Sequence, residues 1–142
     1  GKIMEYKKFG SKYVVRIDKG EEIVETLKKF CTQNNIKLGS VYGIGAVSKA
    51  TIGLFETGKK EYHSTTVTGD YEITSLVGNI ATMNGETYLH IHSNLSNAKY
   101  EVCGGHLNSA VVSATCELIV DAIEGNVDRE FSEEIGLNLY KF

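Results

Sequence analysis

At 142 residues, with 42% hydrophobic and 23% charged side chains, the chain reads as one globular domain, spanning 1–142. A domain of that size buries roughly 70% of its unfolded surface and needs no disulfide. A formal charge of −3 gives no support to autonomous nucleic-acid binding, and no apolar run approaches the roughly 20 residues of a membrane span.

Proline is absent, so glycine, Asn and Asp supply the punctuation. Residues 3 to 9 and 12 to 17 read as two short strands around Gly10-Ser11. Their cations, Lys7, Lys8, Lys12 and Arg16, are read as a solvated face. The stretch DKGEEIVETLKKFCTQNN then repeats Ile23, Leu27 and Phe30 at helical spacing, widened by Val24 and Cys31. The expected helix covers about 19–34, with Asp18 as its cap and Glu21 as the reciprocal partner three residues on.

From Lys37 the pattern turns to β. GSVYGIGAVSKATIGLFE mixes β-branched and small residues, and glycines 39, 43, 45 and 53 suggest bulges or close backbone approach. Its segment GIGAVSKA lacks the spacing of a phosphate-cradling loop and reads as a bulged strand. EYHSTTVTG is a strand carrying an exposed His63. DYEITSLVGNIATMNG is a strand ending in an Asn84-Gly85 hairpin turn, after which TYLHIHSNL returns. SAVVSATCELIVDAIEG is a long strand whose even-numbered face, from Ala110 through Val112, Ala114, Cys116, Leu118 and Val120 to Ala122, is uniformly apolar and is expected in the core. DREFSEEIGLNLYKF ends in an edge strand. The fold class is α+β: a mainly antiparallel or mixed sheet with one main helix. The N-terminal GKIMEYKKFG holds no apolar signal segment, and Cys31, Cys103 and Cys116 are scattered and odd in number. Reduced thiols, a cytoplasmic location and no membrane partner are therefore expected.

Three of the four histidines fall within YLHIHSNLSNAKYEVCGGHL, residues 88 to 107. On a strand, His90 and His92 share a face with Tyr88 and Asn94, while Leu89, Ile91, Ser93 and Leu95 take the other, core-facing side. The turn-rich SNLSNAK can return the chain so that His106, aimed by Gly104 and Gly105, joins the pair. Three readings stay open on the residues alone: a metal site, a pocket without metal, and a polar strand that is rich in histidine. Should a metal bind, three neutral imidazoles leave a coordination position free, as in catalytic zinc sites. Cys103 could add a thiolate but, three residues before His106, faces away. Glu117 is the nearest carboxylate helper, with a salt-bridged structural role as its alternative.

Together, RIDKGEEIVETLKKF, GDYEITSLVGNI, YLHIHSNL, GGHLNSAVVSATCELIV and REFSEEIGLNLY, in this order, resemble the plants-and-prokaryotes-conserved (PPC) domain family over nearly the whole chain. HxH followed by GGHL is the most specific part. The resemblance implies a compact, sandwich-like α/β domain, assembled as a homotrimer and similar in fold to acetolactate decarboxylase. It implies that His90, His92 and His106 hold Zn2+ or another divalent transition metal. It also implies a DNA-binding or regulatory role, the alternative being a metal-dependent lyase- or hydrolase-like enzyme acting on a small carbonyl or carboxylate substrate. Possible partners are thus a second copy of the chain, DNA, and a small anionic ligand at the metal. Plant members bind AT-rich DNA through a proline-containing AT-hook, and a chain without proline has no hook.

Overall fold

The computed structural model describes residues 4–142. A hairpin of β1 (Met4–Phe9) and β2 (Lys12–Asp18) is followed by α1 (Ile23–Gln33) and then by β3 (Gly39–Glu56), β4 (Glu61–Met83), β5 (Glu86–Ser96), β6 (Val102–Ala122), β7 (Asp128–Ser132) and β8 (Leu137–Lys141). Residue 3, expected to open the first strand, lies outside the described residues. The two strands expected between Glu61 and Met83 are one. It ends at the Asn84-Gly85 turn, where both residues take positive φ (53° and 81°), as the tightest hairpins require.

The sheet runs β1-β2-β6-β3-β4-β7-β8, and β5 pairs with both β4 and β6. Since β3 also lies between β4 and β6, the four strands close on themselves. Closure follows from strand length. A strand of 23 residues extends roughly 75 Å, too long to stay straight in a domain of this size. Bulges on β3, β4 and β6 bend the strands, so that different stretches of one strand serve different neighbours. All pairings are antiparallel except the β4–β7 bridge between Thr82 and Asp128, which makes the sheet mixed.

α1 is shorter than expected and capped by a different residue. Asp18 ends β2 opposite Thr115, and the backbone of Gly20, Glu21 and Val112 is exchanged in hydrogen bonds that hold residues 18–22 along β6. The helix therefore cannot start before Ile23. Its cap is Glu22, whose carboxylate accepts from the backbone N–H of Val24 (2.9 Å), Glu25 (2.8 Å) and, across the fold, Ala110 (2.8 Å). One side chain thus satisfies two free helix donors and one donor of β6.

The apolar face of α1 (Ile23, Leu27, Phe30, Cys31) is fully buried, and the helix packs on β5 and β6. Phe30 meets Tyr13 and Tyr6 edge-on, at 5.2 and 5.1 Å between ring centroids. Ala110, Val112, Cys116, Leu118 and Val120 of β6 are buried as expected. Ala114 is not: β6 has three residues between Val112 and Cys116 where β3 has one between Val47 and Gly45, and the surplus throws Ala114 outward. Burial pushes the Cys31 and Cys116 thiols up to about 12, so both stay protonated. Among the described residues no helix is long and apolar enough to cross a membrane.

Glu22→Ala should lower stability by about 1–2 kcal/mol, read as a shift of the urea midpoint with an unchanged slope.

Candidate metal centre

The alternation of β5 separates its two faces. Ile91 and Leu95 are fully buried, and Ser93 between them satisfies its hydroxyl by donating to the Ser75 carbonyl (3.0 Å). His90 and His92 point to the opposite face, half-buried and exposed respectively. On β6, His106 stands directly opposite His92 in the cross-strand register, a position that brings Cβ atoms within about 5 Å.

His106 reaches that face through an irregularity. An even residue of β6 would by simple alternation share the core side of Ala110 and Val112. Between Thr51–Ile52 of β3 and Ser109–Leu107 of β6, however, β6 carries one residue more, Asn108. This bulge exchanges the two faces, so Leu107 is buried and His106 looks outward. Gly105 completes the arrangement: a Cβ there would stand 2.5 Å from the Gly53 carbonyl oxygen, so only glycine lets β6 come this close to β3.

The three rings converge. Their centroids are 4.9 Å (90–92), 5.5 Å (90–106) and 5.8 Å (92–106) apart, and one donor nitrogen from each lies within 4.8 Å of the others. The Nε2 atoms of His90 and His92 are 3.1 Å apart, near the roughly 3.3 Å that separates two imidazole ligands on a tetrahedral zinc. Burial, then His92, Arg129 and His106, lower the pKa of His90; burial, then His92, lower that of His106. The neutral form thereby favoured is the one that ligates metal. The donor set fits a divalent transition metal: three neutral nitrogens, no thiolate, and a free side facing a cavity.

That cavity, of about 720 Å³, is bounded by the imidazoles, by Gly53–Phe55 at the end of β3, and by the β7–β8 hairpin. Tyr62 stands edge-on to His106 (5.8 Å), and its hydroxyl donates to the Asn108 side chain. Burial raises the Tyr62 pKa, against a smaller lowering by that hydrogen bond, so it remains a phenol. Arg129 enters from β7 and is only 8% exposed. Its guanidinium lies between the rings of Tyr88 (4.9 Å) and Tyr140 (4.4 Å). Tyr62 looks like any exposed strand residue, Asn108 like a polar residue beside His106, and the tail that holds Arg129 shows no periodic pattern, so all three escape a reading of the sequence. The available signals are that Tyr88 shares the His90 face and that Arg129 is one of only two arginines.

Glu117 does not join the site within this chain. It lies eleven residues along β6 from His106, opposite Arg16 and Ile44, and accepts from Thr115 (3.3 Å). That is on the order of 30 Å of strand, and among the described residues no Asp or Glu lines the cavity. Cys103 faces the core opposite Leu95, on the side away from His106. His63 is exposed beside Glu56 (3.1 Å) and Glu61 (3.8 Å). GIGAVSKA is a bulged strand.

A fold of this closed, mixed sheet with a three-imidazole cluster defines a class, and comparison supplies its membership. The model of the Plants and Prokaryotes Conserved (PCC) domain matches residues 4–124, and the chain belongs to that family. It is similar to the crystal structure of a candidate DNA-binding protein of Bacteroides thetaiotaomicron, with 37% identity, 99% of both chains covered and a TM-score of 0.97. It is similar as well to a metal-containing protein of Archaeoglobus fulgidus, with 34% identity over 100% of both chains and a TM-score of 0.89. An α-acetolactate decarboxylase of Bacillus subtilis shares the fold alone: 15% identity, 86% of this chain, 57% of that one, TM-score 0.53. No curated protein matches the chain.

Gly105→Ala should cost about 1–3 kcal/mol by overpacking against Gly53, whereas Gly58→Ala, which meets nothing within 4 Å, should stay within about 0.5 kcal/mol; chemical denaturation of the pair checks this.

Proposed function

We propose that the protein binds a divalent transition metal, zinc in the first instance, at His90, His92 and His106, and that the metal acts on a small carbonyl or carboxylate compound admitted through the adjoining cavity. The observation that carries this reading is the convergence of three imidazoles at the wall of a pocket about 720 Å³ in volume. A structural zinc is usually enclosed by four protein ligands, while three leave room for substrate or water. The metal would supply Lewis acidity there. The chain's own groups divide the remaining work: Tyr62 offers a hydroxyl beside His106, Asn108 orients it, and Arg129 places positive charge in an apolar surround. The relative named for its metal content supports the same reading.

DNA binding, after which the Bacteroides relative is named, is the second reading. Its support within the chain is thin, because Lys12 is paired with Asp121, and Arg16 with Glu5 and Asp18.

The expected homotrimer finds support in the outer face of the sheet. Val14, Ile119, Tyr42, Val77 and His92 stand side by side across β2, β6, β3, β4 and β5. Tyr42 (53%) and Val77 (58%) of this row are more than half exposed. A contiguous apolar row of this kind suits burial against another copy, and it runs into the imidazole cluster.

Protein purified without a His-tag should carry close to one metal per chain by elemental analysis. His90→Ala and His106→Ala should each abolish that content and the thermal stabilisation by added zinc. A wild-type protein free of metal and indifferent to zinc would overturn the reading. Tyr42→Asp should reduce the assembly to monomers by light scattering, without loss of far-UV circular dichroism.

A further inference from the structure

Arg129 is buried in a way that its own surroundings do not account for. Of its five N–H donors, one of Nη1 meets the Asn138 carbonyl and one of Nη2 meets the Asn79 side-chain oxygen, both at 2.8 Å. Both acceptors are neutral. Nε, fully buried, has no hydrogen-bond partner among the described residues, and none of their carboxylates forms an ion pair with the guanidinium. A buried cation without a counter-charge is costly, yet here Tyr88 and Tyr140 clamp it flat and two further bonds fix its rotation. Such a pre-set fork is suited to a planar anion, with bidentate geometry.

Its position relates it to the imidazoles. Asn79, which holds Nη2, is the cross-strand partner of His90. Tyr88, beneath the guanidinium, precedes His90 by one pleat on the same face, a spacing on the order of 7 Å. Histidines aside, Arg129 is the one charged side chain lining the cavity among the described residues, and Leu54, Phe55, Leu137 and Leu139 make its walls apolar.

We propose that Arg129 is the binding residue for a carboxylate, and that the ligand of this pocket is a small monocarboxylate with a compact apolar body, its charge on Arg129 and its other end toward His90, His92 and His106. The inference rests on the small-molecule reading of the same pocket and narrows it. One positive side chain selects a single negative charge, and its fork matches the two oxygens of a carboxylate.

Two arginines in the chain give two side-chain Nε–H resonances, so Arg16→Lys assigns them by elimination in the 15N-labelled full chain. Benzoate should shift the Arg129 resonance saturably, and benzamide, of the same shape without the charge, should leave it in place. In calorimetry, Arg129→Lys and Arg129→Gln should bind benzoate at least tenfold more weakly than wild type, with unchanged metal content. The resonance experiment needs no Arg129 variant, so misfolding of those variants cannot mask the answer. A metal-loaded protein whose Arg129 resonance ignores benzoate, or follows benzamide equally, overturns the carboxylate site and leaves the metal reading intact. A metal-free wild type whose Arg129 resonance still answers benzoate sinks the metal reading alone.

Discussion

The functional architecture depends on one cross-strand pair. His92 and His106 face each other between β5 and β6, and they do so because β6 holds one residue more than β3 at Asn108. A pleated strand assigns faces by parity, so a single surplus residue decides whether an imidazole lies in the core or at a cavity. His90 follows at no further cost, since two residues along a strand is a full period. The clustering of three titratable rings is therefore a consequence of backbone register more than of any attraction between them; burial makes His90 and His106 resist protonation.

Around that pair the rest of the molecule is a frame. β3 is held between β4 and β6, β5 bridges the same two strands, and the closed set carries a core to which α1 contributes one face. Glu22 joins the helix to β6 two residues from the bulge, at Ala110. On the other side, the Thr82 hydroxyl is hydrogen-bonded to the side chains of Asn126 and Asp128, anchoring the start of β7 to β4. The β7–β8 hairpin is thereby set beside β5, where it delivers Arg129 and Asn138. The cavity thus has a rigid wall from the closed strands and a second wall from an appended hairpin.

How far the sequence reveals this depends on the range of each interaction. Alternation within β5, the Asn84-Gly85 turn and the glycines of β3 are local signals, and the structure has them where the residues suggest. Asp18 has the chemistry of a helix cap, and only its strand partner Thr115 shows that it ends β2 instead. Ala114 departs from the expected core face for a related reason: position along β6 cannot be counted from sequence once bulges intervene. Two preceding glycines signal that His106 joins its neighbours, although the residue that turns it outward is Asn108, on the far side. Arg129 is invisible because Asn79 and Tyr88, which tie it to the imidazole face, belong to distant strands.

The order of strands has a consequence for synthesis. β6 pairs with β2, β3 and β5, so the strand that joins the first hairpin to the rest of the sheet is sixth of the eight. A nascent polypeptide leaving the ribosome holds the first hairpin and the edge of β3 without their partner until residues beyond Val102 have emerged. Open strand edges are templates for mispairing, and contacts of such long sequence separation form slowly. The sheet can therefore close only once β6 is available, and until then the strand edges that β6 covers stand open.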